Sequence, residues 1–247
     1  MNNEVLQERL IEKSEQLGIS YCALEDDVYP VELRKIKDAP PVLFYKGAIE
    51  IANAYKCVAI IGSRESSDNG VKLSYNAGKI MADNRIIVVN RLAAGCDTVA
   101  LEGAIKNGGK CIALLPAGLD NVQPKANRLL AQAIVDNGGC LISEYPIGTP
   151  LKKYNYVKRD RLQSGISQGV VIVEAKKKSG TMHTAEFAVK QYKRLACYYD
   201  KIVGGASGNK YLQDSGKAEV IKDNDGLKQF ISRISAYSDK YEQLSLF

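Results

Sequence analysis

The chain has 247 residues, of which 45% are hydrophobic and 25% charged, as expected for a globular protein with a buried core. Its apolar runs are far shorter than the roughly 20 residues that cross a bilayer. Because its N-terminal residues are also charged, we expect no membrane span, no signal peptide and a cytoplasmic location. The net charge of +6 is a mild basic bias, which is compatible with nucleic-acid binding and does not by itself establish it.

The cysteines and the histidine narrow the possible kinds of site. The six cysteines contain no CxxC pair and most lie beside apolar strand patterns, which favours buried free thiols over disulfides or a metal site. His183 is the only histidine, so a Ser-His-Asp triad would depend on that one residue, which we expect on a helix surface. We therefore predict no metal site.

Apolar spacing predicts an N-terminal helix within residues 1–17. Residues 20–50 alternate short apolar runs with proline and aspartate, which predicts strands and turns packed on the main body. We divide the chain into an N-terminal helix (1–19), one main domain (20–235) and a flexible tail (236–247).

From Cys57 onward the pattern alternates between strands and helices, which is typical of a parallel sheet covered on both faces. The apolar run after Cys57 ends at Gly62-Ser63-Arg64, and Asp97 is placed to cap a later helix. Further on, we predict a loop over 145–157 and a short basic helix from Lys158. The predicted fold class is α/β, with a doubly wound, mainly parallel sheet.

The loops at the predicted strand ends share anion-binding chemistry. Parallel strands bring such loops to one edge of a sheet, where backbone N–H groups and helix N-termini bind phosphates. The segment Ser179-Gly180-Thr181 opens a helix and suits a phosphate for this reason. Several such loops in a row fit a run of phosphates better than one mononucleotide. They are Gly62-Ser63-Arg64, 90–97, 123–128, 143–145, 158–161 and 179–181.

The order of motifs resembles the DNA-processing protein A (DprA, or Smf) family over about residues 20–222. The similar segments are YPVELRKIKDAPPVLFYKGAI, VAIIGSR, LAAGCD, ALLPAGLDNVQPKANRLL, GGCLISEYPIGTP, KRDRLQSGIS, VVIVEAKKKSGTMHTAEFA and SGNKYLQDSGKAEVI. The resemblance implies an extended Rossmann-like domain that binds single-stranded DNA, forms a homodimer and acts in DNA uptake and recombination with the RecA recombinase as a partner. It also implies that the protein catalyses no reaction, so we expect no catalytic residue and no cofactor.

Matching positions carry the family's DNA-binding residues over to this chain. The implied set is Gly62, Ser63, Arg64, Lys125, Asn127, Arg128, Arg159, Arg161, Ser179, Gly180, Thr181 and Thr184, to which we add Arg91. Ala94 stands where the family usually has arginine, and Arg91 stands at a glycine position. Asp160 replaces the asparagine of the usual Arg-Asn-Arg, and Tyr199-Asp200 replaces a Pro-Gly.

The last five residues, Gln243, Leu244, Ser245, Leu246 and Phe247, resemble the short motif by which bacterial replication and repair proteins bind the DNA polymerase sliding clamp. Leucine and phenylalanine side chains can fill an apolar pocket while the glutamine bonds at its rim. The alternative is that these residues fold back onto the protein's own core.

Two other classes of function stay open from the sequence. Ser179-Gly180-Thr181 with Thr184 and Glu186 also resembles, more loosely, the Pro-Gly-Gly-x-Gly-Thr-x-x-Glu loop of phosphoribohydrolases, in which a carboxylate acts on the ribose carbon. The double glycine of that loop is absent here. A nucleotide-sensing module without DNA affinity is the third class.

Overall fold

The computed structural model describes the backbone of residues 11–244 and the side chains of residues 11–234. Within this range one sheet of nine strands has the order β1-β2-β6-β5-β4-β3-β7-β8-β9. The strands are β1 (Ser20–Ala23), β2 (Val42–Gly47), β3 (Cys57–Ile61), β4 (Ile87–Asn90), β5 (Cys111–Leu114), β6 (Cys140–Ser143), β7 (Gly169–Ile172), β8 (Arg194–Tyr198) and β9 (Glu219–Ile221). Along this spatial order, every pair of neighbouring strands between β6 and β9 is parallel, and these pairs include β5, β4, β3, β7 and β8. Strand β2 pairs antiparallel with both β1 and β6. The predicted α/β class and mainly parallel sheet are confirmed.

Helices cover both faces of the sheet. They are α1 (Val31–Arg34), α2 (Ile51–Ala54), α3 (Asp68–Asp83), α4 (Cys96–Ile105), α5 (Arg128–Asp136), α6 (Lys153–Ile166), α7 (Gly180–Lys190), α8 (Ser207–Asp214) and α9 (Asn224–Leu244), and residues 11–16 are helical as well. Short 3-10 helices span Lys125–Asn127 and Asp200–Val203.

The central strand β3 is buried on both faces, as its continuous apolar run predicts. Val58 and Ile60 join the core on one face of the sheet, while Ala59 and Ile61 pack into a separate core on the other. Because both of its faces are packed, β3 holds the start of the following loop in a defined position.

Two local predictions are wrong. The segment 153–157 is not a loop, because α6 begins at Lys153, five residues before the predicted start at Lys158. The buried face of α6 carries polar residues, including Asn155, Arg159 and Asp160. The helical spacing of apolar residues by which a sequence predicts a helix is therefore absent here. Asp97 is not a cap either: Gly95 occupies the N-cap of α4, and the Asp97 carboxylate bonds to other loops.

All six cysteines are free and buried, as predicted. Burial raises the pKa of Cys22 to about 11 and that of Cys57 and Cys197 to about 12, so these thiols stay protonated at neutral pH.

Among the described residues, no helix is both long and apolar enough to span a membrane. The same part of the chain holds no cluster of three or more His, Cys, Asp or Glu side chains that could bind a metal ion.

The C-terminal segment is described only in part. Helix α9 runs to Leu244, into the segment 236–247 for which we predict flexibility, and that flexibility stays a prediction. In the predicted clamp motif, Ser245, Leu246 and Phe247 lie outside the described residues, as do the side chains of Gln243 and Leu244.

Candidate nucleic-acid interface

A crevice forms where the parallel strands end. Loops 62–67, 91–95, 115–124 and 173–179 follow β3, β4, β5 and β7 and meet at the same edge of the sheet. Helix α7 begins there at Gly180, so the positive end of its dipole faces the crevice. This is the edge at which open parallel sheets bind ligands.

Four charged residues form a buried tetrad at the floor of the crevice: Arg91, Asp97, Arg159 and Asp160. None is more than 6% exposed. Arg91 Nε lies 3.2 Å from Asp97 Oδ2, and Arg159 Nε lies 3.2 Å from Asp160 Oδ1. Arg91 Nη1 is 3.8 Å from the same Asp160 oxygen, which joins the two pairs. The two guanidiniums and two carboxylates balance, so the floor carries no net charge.

Asp97 and Arg91 tie three chain segments together. The Asp97 carboxylate accepts hydrogen bonds from the backbone N–H groups of Gly62 and Arg91, both at 3.2 Å. Arg91 Nη2 donates to the Gly62 carbonyl and to Thr181 Oγ1, both at 3.4 Å. The loop after β3, the loop after β4 and the start of α7 are therefore held by one ion pair.

Arg159 extends this connection to β5. Its Nη1 donates to the Leu114 carbonyl at 2.9 Å and to the Arg91 carbonyl at 3.4 Å. Burial lowers the pKa of Arg159 to about 10, with Asp160 acting against the shift, and the guanidinium stays charged at neutral pH. Burial also raises the pKa of Asp160, although Arg159 and Arg91 oppose that shift.

Three further residues of the predicted site are buried and bonded within the protein. Asn127 Nδ2 donates to the Leu92 carbonyl and to Thr98 Oγ1, both at 2.8 Å. Thr181 Oγ1 donates to the Gly62 carbonyl at 2.9 Å, and Thr184 bonds to the Gln163 side chain at 3.5 Å. These buried side chains hold the loops in place through hydrogen bonds within the protein.

Arg161 is also held by carboxylates of this chain. Its Nε lies 2.8 Å from Asp38 Oδ2 and its Nη2 lies 2.7 Å from Glu144 Oε2. A third nitrogen, Nη1, donates to the Lys158 carbonyl at 2.8 Å. Only 11% of the Arg161 side chain is exposed. Through its two ion pairs, Arg161 connects α6 to the segment before β2 and to the loop after β6.

Of the other predicted residues, Gly62 is buried. We call the following group the exposed rim: Arg64, Lys125 and Arg128, with the half-buried Ser179 and with Gly180 at the start of α7. The three cations and Gly180 are exposed. Ser63, beside Arg64, is half-buried and its hydroxyl donates to the Glu65 carbonyl. A Cβ on Gly180 would lie 3.8 Å from Arg91 Nη1, so the start of α7 lies close to the tetrad.

Sequence reasoning missed an aromatic contribution to this edge. The Arg64 guanidinium lies 5.8 Å from the centre of the Tyr156 ring, and Arg159 lies at the same distance from it. Tyr154 belongs to the same turn of α6 and is 54% exposed. The available signal was the mixture of lysines and tyrosines over 152–158, which the predicted loop concealed.

The geometry does not favour the hydrolase alternative. Glu186, which would supply the reacting carboxylate, is exposed on α7 and lines a separate cavity with Val189 and Leu212. Thr184 is buried against Gln163 on another face of the same helix. His183 is exposed, as predicted.

Comparison with known sequences finds similar proteins along most of the chain. A family model described as DNA recombination-mediator protein A matches residues 20–232. The DNA processing protein DprA of Streptococcus pneumoniae is 37% identical over 208 residues, which cover 83% of this chain and 72% of that protein. Protein Smf of Escherichia coli is 34% identical over 167 residues, which cover 68% of this chain and 44% of that protein.

Solved structures show the same architecture. The crystal structure of DprA from Streptococcus pneumoniae matches with a TM-score of 0.81 at 32% identity, covering 93% of this chain and 78% of that one. A DprA structure from Helicobacter pylori, reported for its single-stranded DNA binding mode, matches with a TM-score of 0.77 at 28% identity and covers 88% and 96% of the two chains. The molybdenum cofactor carrier protein of Chlamydomonas reinhardtii shares only the fold, with a TM-score of 0.51 at 19% identity over 74% of this chain and 99% of that one.

Proposed function

The chain belongs to the DNA recombination-mediator protein A family, and we propose on this premise that it binds single-stranded DNA along the exposed rim of its crevice. The observation that carries the proposal is the separation of charge at one sheet edge. The buried tetrad is neutral, whereas Arg64, Lys125, Arg128 and the N-terminus of α7 present positive charge outward. The relative from Helicobacter pylori, whose structure concerns single-stranded DNA binding, supports the same assignment.

The proposed site has two layers with different tasks. Rim cations and the backbone N–H groups at Ser179 and Gly180 contact phosphates, which gives affinity that is independent of sequence and sensitive to salt. The tetrad, Asn127, Thr181 and Thr184 hold the loops in place, and Arg161 connects α6 to its neighbours. Of the predicted DNA-binding residues, these buried groups therefore act as positioning residues.

We propose a biological role that follows from the family. The protein protects single strands and mediates recombination during DNA uptake, in the cytoplasm, without catalysing a reaction. It acts as a homodimer, and the RecA recombinase is its partner.

The C-terminal motif adds a second partner to the proposal. Gln243-Leu244-Ser245-Leu246-Phe247 docks on the DNA polymerase sliding clamp and thereby places the protein near replicating DNA. Deleting residues 243–247 should abolish clamp binding and leave DNA affinity unchanged. Clamp binding by the truncated protein would reject this assignment.

Fluorescence anisotropy with a labelled poly-dT strand tests the central part of the proposal. The wild-type protein should bind poly-dT and a mixed-sequence strand with similar affinity. Replacing Arg64 by Ala should weaken both by about fivefold, since one solvent-exposed ion pair contributes up to about 1 kcal/mol. Lys106→Ala is the matched control, because Lys106 is an exposed cation at the far end of α4.

The proposal fails if the protein binds neither strand at low salt. It also fails if Arg64→Ala affects only one of the two sequences, because phosphate contacts do not distinguish bases. A return to the hydrolase alternative would then require release of free base from a nucleoside monophosphate, lost in Glu186→Gln.

A further inference from the structure

The exposed face of the first part of α6 carries a cluster of lysines around one tyrosine. Lys152, Lys153, Tyr154 and Lys158 are all exposed, and Val157 beside them is 41% exposed. The opposite face of the same turns is buried: Asn155 Nδ2 donates to the Pro116 carbonyl at 2.9 Å, and Arg159 belongs to the tetrad. The exposed face is therefore fixed in orientation by the floor of the crevice.

The lysines lie close to the Tyr154 ring. Lys152 Nζ is 5.8 Å and Lys158 Nζ is 5.5 Å from the ring centre. Contacts of this kind between exposed groups are weak and the lysine stems are flexible, so the ring can exchange an ammonium group for another partner at little cost. The Tyr154 ring is 54% exposed and has two lysines beside it. The ring suits the flat part of a ligand, and the lysines suit its negative charge.

This face borders the exposed rim on one side. Tyr156 lies two residues from Tyr154, which places it on another side of α6, and its ring centre is 5.8 Å from the guanidinium of the rim residue Arg64. Because Lys153 and Val157 are exposed on α6, a single strand that leaves Arg64 can cross this face to reach Tyr154. Basic surface interleaved with aromatic rings is how proteins bind single strands without sequence preference.

We propose that Tyr154 is a base-stacking platform, flanked by Lys152 and Lys158, which extends the single-stranded DNA path beyond the phosphate-binding rim. This inference rests on the proposed function. A base stacks on the ring and displaces one ammonium group, which then pairs with the adjacent phosphate. Since every base has a flat face, the platform accepts any sequence.

The test compares strands with and without bases. Affinities are measured by anisotropy for a dT oligomer and for a strand of equal length whose central nucleotides are abasic, so that phosphates are kept and bases removed. Tyr154→Ala should weaken dT binding by about 5- to 150-fold, the range that one stacked base contributes. It should leave binding of the abasic strand nearly unchanged.

Two further variants act as controls. Tyr154→Phe keeps the ring and should retain wild-type affinity for dT. Tyr192→Ala removes a tyrosine that is 88% exposed at the end of α7, and it should bind both strands like the wild type. Because Tyr154 and Tyr192 are both exposed, circular dichroism should show each variant folded.

The outcomes separate this inference from the function on which it rests. If the wild type binds dT and Tyr154→Ala does not change that affinity, the platform is rejected and the rim proposal stands. An equal loss for the dT and abasic strands also rejects it, because the effect would then not involve bases. If the wild type binds neither strand, both proposals fail.

Discussion

Arg64 and Arg159 are arginines of one crevice, yet their environments are opposite. Arg64 is exposed and its guanidinium lies 5.8 Å from the centre of the Tyr156 ring, whereas Arg159 is 3% exposed and bonded to Asp160 and to two carbonyls. Residue type and position along the chain do not distinguish them. Burial and the presence of a carboxylate decide which arginine is free for a ligand and which one organises the loops.

The neutrality of the tetrad follows from the cost of burying charge. A lone buried ion loses its hydration and is strongly unfavourable, so buried charges occur with partners and hydrogen bonds. Arg91 and Asp160 stand at positions where the family usually has glycine and asparagine, and the structure brings them within 3.8 Å of each other. The two departures therefore compensate each other in charge.

Breaking the tetrad should have the largest effect on stability. Asp97→Ala removes the carboxylate that pairs with Arg91 and accepts the Gly62 N–H, leaving a buried guanidinium without its main partner. We expect the free energy of unfolding to fall by about 3–5 kcal/mol, measured by urea denaturation. The control Asp83→Ala removes an exposed helix pair with Lys79 and should cost about 0.5 kcal/mol. Equal losses in the two variants would show that the tetrad does not organise the fold.

The link between floor and rim can be tested at Gly95. Its φ is +76°, and a Cβ there would lie 2.3 Å from the Ser63 carbonyl oxygen and 2.6 Å from that of Arg64. Gly95→Ala should therefore displace the rim loop, lower stability by about 2–3 kcal/mol and weaken DNA binding. Gly108→Ala is the control: φ is +74°, but nothing lies within 4 Å, so it should cost about 1 kcal/mol and leave DNA affinity unchanged. Normal DNA affinity in Gly95→Ala would show that DNA binding at the rim does not depend on how its loop packs against the floor of the crevice.

A partly exposed ion pair should show a smaller effect that depends on pH. Glu32 lies 2.5 Å from Lys193 and 2.7 Å from Lys35. Burial acts to raise the pKa of Glu32, but the two lysines outweigh it and hold the pKa below its ordinary value of 4.5. Because the lowered pKa means that folding favours the carboxylate, the pair stabilises the protein above pH 4.5 and loses its effect as the pH falls through the folded-state pKa.

Glu32→Gln should therefore lower the free energy of unfolding by about 1 kcal/mol at pH 7. The difference from wild type should shrink as the pH falls below 4.5, as followed by urea denaturation between pH 7 and pH 2. A difference that stays constant over this range would contradict the assigned charge effect.

The sequence predicts the fold because continuous apolar runs such as Cys57–Ile61 mark buried parallel strands. It also places Gly62, Arg91 and Thr181 at one edge, since the ends of parallel strands meet. It does not predict that Arg91 and Arg159 are buried in one neutral cluster, because the contact between Arg91 and Asp160 that joins the two ion pairs forms only by tertiary packing. The first turn of α6 is missed for a related reason: its buried face is polar, so no apolar period marks it.

The salt dependence of poly-dT binding tests most directly the claim that rim cations bind the strand and the tetrad does not. Each phosphate contact contributes about 0.7 to the slope of log affinity against log salt for single strands. The triple variant Arg64→Ala, Lys125→Ala, Arg128→Ala should therefore bind weakly, with a slope about 2 smaller than that of the wild type, while its unfolding curve is unchanged. A slope equal to that of the wild type would show that the strand is bound elsewhere and would contradict the account.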